Sequence, residues 1–260
     1  MSVDTTPAYA AVPARPGPAL AKLVFTEARL LLREPVALFW GLAFPMALLA
    51  VMGIASSGPG ARLGGLPLVA VYEPILIAFV TVAFAIQGLP AVVAGYRERR
   101  ILRRLATTPV GPVRVIAAQL TVNLAVALVA TAGILTVGRL GFGVALPGQP
   151  AGFLVTYVLA ATAMLGLGML VAALAPTGRA AGVIGTMLFF PLMFFAGLWI
   201  PRATMPASLR QVSDFTPLGA AVQALQDSMR GVWPHLSALA VLAGYAVVFT
   251  VAAARFFRWD

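Results

Sequence analysis

Polar positions in this chain fall in clusters, and the clusters divide it into long apolar stretches. Six stretches approach or exceed the ~20 residues a helix needs to cross the hydrocarbon core of a bilayer. They run from about Val36 to Ile54, Leu68 to Val93, Val115 to Val137, Phe153 to Ala175, Ala180 to Ile200 and Leu236 to Ala254. Breakers and charges set the limits: Arg33-Glu34-Pro35 before the first, Ser56-Ser57-Gly58-Pro59-Gly60 after it, Arg114 and Arg139 around the third. Pro147-Gly148-Gln149-Pro150 opens the fourth, Pro201 closes the fifth, and Trp233-Pro234 opens the last. The pattern predicts an all-α polytopic membrane protein with six transmembrane helices. The first stretch begins some 35 residues in, with no compact basic region at the start, so it reads as a retained span rather than a cleaved signal. Residues 1–18, rich in Pro and Ala, read as a disordered tail, and 19–260 as the membrane domain.

Two connecting segments carry a helical period of their own. Over residues 19–34, Lys22, Thr26, Arg29 and Arg33 recur at i, i+4, i+7 and i+11 and share one face. Leu20, Val24, Ala28 and Leu31 lie opposite, flanked by Leu23, Phe25, Leu30 and Leu32. A basic stripe against leucines describes an N-terminal amphipathic helix in the headgroup plane, and Pro35 breaks it from the first span. Between Pro201 and Pro234, Thr216-Pro217 supplies an N-cap and a proline for the first helical position. Gln223, Gln226, Asp227 and Arg230 then share one face, and Leu218, Ala221, Val222, Leu225 and Met229 the other. That is a second amphipathic helix, on the outer surface and dipping back towards the bundle, read as a packing element or as a lid or exit gate.

The connection from Tyr96 to Arg114 is the most charged. It opens Arg97-Glu98-Arg99-Arg100, continues Ile101-Leu102-Arg103-Arg104-Leu105, and ends at Thr107-Thr108-Pro109 and Gly111-Pro112. As a helix it leaves Glu98 with Ala94, Gly95, Ile101 and Leu102 at i±3 and i±4, so no intrahelical partner awaits that acid. Spacing alone leaves two readings: a short helix held for another protein, or arginines that set topology and touch lipid phosphates.

Composition narrows the class. The chain is 61% hydrophobic and 10% charged over 260 residues, with a mean hydropathy of +0.96, where soluble domains carry about 25% charged residues. An ordinary soluble enzyme is excluded. Net charge is +10. With the N-terminus in the cytoplasm, 13 basic residues fall inside and 5 outside, which is a topology signal and places both termini inside; it is not a nucleic-acid footprint. There is no Cys and a single His, His235, so thiolate and His-cluster metal sites are excluded. The sole lysine, Lys22, does not stand in a GxxxxGK[ST] context, and no HExxH or GxSxG occurs. A membrane-embedded enzyme is therefore disfavoured, and energy for uphill movement must enter from outside the chain.

Within the spans few polar residues remain. Glu73 lies near the start of the second, where it either reaches water or touches cargo or a coupling ion. Gln87, Gln119 and Asn123 read as hydrogen-bonding glue between helices, and Gly178, Gly182 and Gly185 permit close helix approach in the fifth span.

Three segments together resemble the ABC-2 type permeases, the membrane subunits of bacterial ATP-binding-cassette exporters, and between them cover nearly the whole chain. These are Leu30-Leu31-Leu32-Arg33-Glu34-Pro35 after the amphipathic helix, Arg97 to Val110, and Pro191-Leu192-Met193-Phe194-Phe195-Ala196-Gly197-Leu198-Trp199-Ile200-Pro201 followed by Met205-Pro206 and Thr216-Pro217. The second segment departs from the family pattern, carrying Arg100-Ile101 where a Gly-Thr pair usually stands. The resemblance implies a dimer, homodimeric or with a close homologue, in the bacterial cytoplasmic membrane, each copy seated on a separately encoded ABC ATPase. ATP and Mg would be bound by that partner and no cofactor by this chain. Glu98 to Leu105 would be the coupling helix, with Arg97 beside it, and the helix bearing Lys22, Arg29 and Arg33 the connecting helix. The first, second and fifth spans would line the path and the dimer interface, with Glu73, Gln87 and Asn123 along it, and Gly197, Pro201, Pro206 and Pro217 would shape the exit. The implied cargo is an amphipathic small molecule, drug, lipid or natural product; alternatives are a polysaccharide or lipid-linked glycan, or a non-transporting scaffold or immunity protein.

Overall fold

The computed structural model describes residues 16–56, 58, 62–106 and 111–257. Within them the six apolar stretches are six helices long and apolar enough to span a membrane. Helix α1 (Pro16–Leu31) precedes the spans. The spans are α2 (Pro35–Ala55), α3 (Leu68–Glu98), α5 (Pro112–Phe142), α6 (Pro150–Leu174), α7 (Gly178–Ala196) and α10 (Leu236–Phe256). Between α3 and α5 lies the short α4 (Ile101–Ala106), and between α7 and α10 lie α8 (Ala207–Asp214) and α9 (Pro217–Met229). Six alternating spans put α1 and α4 at one end, the arginine end, and α8 and α9 at the other, the far end.

Boundaries follow local chemistry more than hydropathy. The second span runs past Val93 to Glu98, because Tyr96 and Arg97 find partners inside the chain. The third continues beyond Arg139 until Gly143 takes a left-handed turn, φ 68°. The fifth stops at Ala196, short of Ile200: Gly197 (φ 93°) receives the chain, with Leu198 N–H on Met193 O (3.1 Å) and its own N–H on Phe194 O (3.0 Å), the glycine-terminated C-cap geometry. Helix α1 starts at Pro16, three residues inside the segment read as a tail; the rest of that segment, residues 1–15, and the Thr107-Thr108-Pro109 stop lie outside the described residues. A hairpin that hydropathy did not announce pairs β1 (Arg62–Leu63) with β2 (Leu66–Pro67) through Gly64 and Gly65, both at positive φ, as a two-residue hairpin turn requires.

Two spans contain a widened, π-type turn: Phe39–Ala43 in the first and Ala83–Gly88 in the second. Each precedes a proline, Pro45 or Pro90. Proline offers no N–H to the carbonyls four and five residues back, so the helix rearranges there. For Pro90 those carbonyls belong to Ile86 and Ala85. The fourth and fifth spans approach them through glycine: a Cβ added at Gly168 would collide with Ala85 O, and one at Gly185 with Ile86 O. A Cβ at Gly178 would stand 2.7 Å from Ala91 O. The small-residue spacing in the fifth span thus serves contact with the second span.

The second span is the central post. Of its most apolar stretch 72% is buried, against 22% for the first and last spans and 28% for the fifth. Helix α9 dips into the bundle, as its apolar face predicts. Leu218, Ala221, Val222 and Leu225 are all buried, against the second, fourth, fifth and sixth spans.

Gly168→Leu and Gly185→Val should each lower stability by about 1–3 kcal/mol through overpacking, seen as an earlier thermal unfolding of the detergent-solubilised chain. Gly244→Ala, whose Cβ would meet nothing within 4 Å, should leave the midpoint almost unmoved.

Candidate functional site

The chemistry-bearing residues gather at the two ends of the bundle. At the arginine end the second span ends in a knot. Arg97 donates Nη1–H to Ala173 O (2.9 Å) and Nη2–H to Ala175 O, and so holds the C-terminus of the fourth span. Cationic donors suit exposed helix C-terminal carbonyls. Glu98 Oε2 accepts from Gly178 N–H (3.0 Å) at the N-terminus of the fifth span, where the helix dipole favours an anion. Thr177 completes that terminus by accepting from Ala180 N–H (3.1 Å). The acid with no intrahelical partner is therefore used across the chain. Arg97 and Glu98 pin the turn between the fourth and fifth spans.

The segment beyond is not one continuous helix. Arg99 and Arg100 form a turn, with Arg100 at φ 56°, and α4 follows. Leu102, 1% exposed, anchors α4, while Ile101 and Leu105 are half-buried. Arg99, Arg100, Arg103 and Arg104 are exposed.

A polar network joins α1 to this knot. Glu27 is 8% exposed. Its carboxylate accepts from Tyr96 Oη–H (2.9 and 3.1 Å) in the second span and from Gln119 Nε2–H (2.6 Å) in the third. Asn123 Nδ2–H reaches Gln119 O at 2.8 Å within its own helix. Burial pushes the Glu27 carboxyl above its ordinary range, and the Tyr96 hydrogen bond offsets part of that rise. Lys22, Thr26 and Arg29 are exposed on α1, Arg33 is exposed in the turn just past its end rather than on the helix read over 19–34, and Phe25 is 71% exposed. Gln119 acts between helices. Asn123 bonds within its own helix, and Gln87, in the widened turn, has no hydrogen-bond partner among the described residues.

At the far end, Glu73 is 2% exposed. It does not reach bulk water from the end of its span but faces a chamber of about 570 Å³ roofed by the hairpin, α8 and α9. Arg202, one of the five basic residues counted outside, is buried: it donates to Ser213 Oγ (2.8 Å) and pairs with Asp214. Ser213 Oγ–H in turn donates to Phe195 O (2.7 Å). The exit residues all stand where elements begin or end: Gly197 after the fifth span, Pro201 before a short 3₁₀ turn, Pro206 before α8, Pro217 at the start of α9. Thr216 caps α9 by accepting from Gly219 N–H (3.1 Å).

An aromatic line connects the first, second and fifth spans. Trp40, Phe44, Phe79, Phe189, Phe190 and Trp199 follow one another with ring centroids 5.0 to 6.2 Å apart. Glu27 and Tyr96 are the residues that sequence reasoning missed. The signal was present for Glu27, since it falls i+3 from Val24 and i−4 from Leu31 on the apolar side of α1.

The sequence model of the family described as ABC-2 type transporter matches residues 19–229, from α1 to the end of α9. Among curated proteins none matches the chain.

Glu98→Ala should cost about 1 kcal/mol through the lost cap, measured by thermal unfolding. Glu27 binds its proton more tightly in the folded chain than in the unfolded one, so its contribution to stability falls as pH rises from 4.5 through its raised value. Glu27→Gln should flatten that decline when unfolding midpoints are compared between pH 4 and pH 8, on the order of the titration range of such a carboxyl.

Proposed function

The chain belongs to the ABC-2 type transporter family, a multi-pass membrane transport subunit, and from that premise we propose that it is the permease of an ATP-driven exporter in a bacterial cytoplasmic membrane. It moves an amphipathic small molecule, drug, lipid or natural product outward. The arginine end faces the cytoplasm together with both termini, in agreement with the distribution of basic residues. Two copies pair, and each receives an ABC ATPase that binds the ATP and Mg.

The observation that carries this reading is the continuity of the arginine end. Helix α4 follows directly from the second span, whose last turn is bonded to α1 through Tyr96–Glu27, and through Arg97 and Glu98 to the turn between the fourth and fifth spans. A displacement of α4 by a partner is therefore delivered to the whole bundle at once. The exposed Arg99, Arg100 and Arg103 offer the partner a charged surface, with Leu102 as the anchor that makes α4 move as a unit with the bundle. Arg97 and Glu98 transmit from inside the chain. The connecting role of α1 rests on the same Glu27 network.

The path and the contact between copies fall to the face that the aromatic line marks. Val36, Phe39, Trp40, Val51 and Ile54 of the first span are exposed, as are Val183, Met187 and Phe190 of the fifth. The second span supports them from behind, because its own surface is largely consumed within one copy.

Arg103→Glu and Arg99→Glu should reduce the ATPase that copurifies with the chain by about tenfold, the scale of losing a charged contact, without lowering the unfolding midpoint. Full retention of an ATPase by both variants would remove α4 from the docking surface, and no ATPase partner for the native chain would overturn the exporter reading.

A further inference from the structure

Glu73 stands in the second turn of the second span with its carboxylate turned into the far-end chamber. No hydrogen bond or ion pair within the described residues satisfies it. The fold leaves room for it deliberately. Gly138 of the third span lies alongside, and a Cβ there would stand 2.5 Å from Glu73 Oε1. An unpaired buried carboxylate is costly to keep, and an intramembrane acid without a partner marks a ligand position.

The rest of the chamber has a definite polarity. Its inner wall is apolar, with Val71, Pro74, Phe142 and Val144. Its mouth carries Arg210 and Arg230, both exposed and neither paired with an acid among the described residues. Arg202 also lines the chamber but is committed to Ser213 and Asp214. Gln223 and Gln226, on the polar face of α9, add neutral donors and acceptors. Asp227 also lines the chamber, half-buried, its Oδ2 accepting from His235 N–H (3.4 Å). A buried acid without a partner, two exposed arginines that outnumber Asp227 at the mouth, and apolar residues in the same lining describe the complement of a zwitterion on an apolar body. The volume of about 570 Å³ lies within the range of small-molecule sites.

We propose that this chamber binds a zwitterionic amphiphile, its ammonium on Glu73 and its phosphate or carboxylate on Arg210 and Arg230. As a binding site it stands on the geometry alone; as the site where cargo is held, it rests on the exporter reading above. Binding to the purified chain needs no ATPase, so failure of one claim is distinguishable from failure of the other.

The probe is hexanoyl-lysophosphatidylethanolamine, short enough to remain monomeric, titrated against the full chain in nanodiscs. Hexanoyl-lysophosphatidylglycerol, which lacks the ammonium, is the comparison, and free phosphoethanolamine tests whether the apolar body is needed. The native chain should bind the ethanolamine probe about tenfold more tightly than the glycerol probe, the scale of one charge-assisted hydrogen bond. Glu73→Gln should erase that preference while leaving the glycerol probe unaffected. Arg210→Gln with Arg230→Gln should weaken both probes. Gly138→Ala, which keeps the charge but crowds the carboxylate, should weaken the ethanolamine probe selectively, and an unchanged unfolding midpoint for Glu73→Gln separates loss of binding from loss of fold. Equal affinity for the two probes in the native chain, or a preference that survives Glu73→Gln, would overturn the proposal.

Discussion

Hydrocarbon supplies no hydrogen bonds to a backbone, and that constraint governs how this bundle closes. Pro90 withholds its donor from the carbonyls of Ala85 and Ile86 in the middle of the second span, and the helix widens there. The fourth and fifth spans then approach those two carbonyls through Gly168 and Gly185, where any side chain would collide. Phe84, in the same widened turn, packs on Gly41 of the widened turn in the first span. One irregular segment thus collects three neighbours. The burial of the second span, and the exposure left to the first, fifth and last, follow from that arrangement.

Charge is organised by the same economy. An arginine-rich connection satisfies a topology rule, yet its first two residues act within the chain. Arg97 takes the carbonyls at the end of the fourth span, and Glu98 takes an amide at the start of the fifth. Those are groups a helix end leaves without partners. The arginines that follow are exposed, Arg99 and Arg100 in a turn and Arg103 and Arg104 on a short helix held by Leu102. Capping and presentation are therefore adjacent in sequence and separate in role.

The far end is built differently. Arg202, Ser213 and Phe195 tie α8 to the end of the fifth span, and α9 sinks its apolar face into the bundle. The roof over Glu73 is thus anchored at several points. The chamber lining combines the buried Glu73, the exposed Arg210 and Arg230, and apolar residues of the second and third spans.

The number of spans, the amphipathic character of α1 and α9 and the cap at Thr216-Pro217 were legible in the chain, whereas the fifth span ends at Gly197, four residues before the Pro201 that marked its close. The legible features depend on periodicity, on apolar length and on the conformational limits of Pro and Gly, all of which are local. The small residues of the fifth span showed that some helix would come close, but not that it would be the second. Glu98 lacked a partner at helical spacing, and its true partner lies 80 residues away at Gly178. Glu27 could be placed on the apolar side of α1 from spacing alone, whereas Tyr96 and Gln119 became its partners 69 and 92 residues away only when three helices met. Glu73 could be a solvated acid at a span end or a contact for cargo or a coupling ion by sequence, and only the packing of the hairpin and α9 around it left it 2% exposed and lining a chamber. Local backbone chemistry and hydropathy thus determined which segments cross the membrane and where they stop. Tertiary packing decided which polar groups are used within the chain and which remain available, because satisfaction of a buried charge depends on what other helices bring to it.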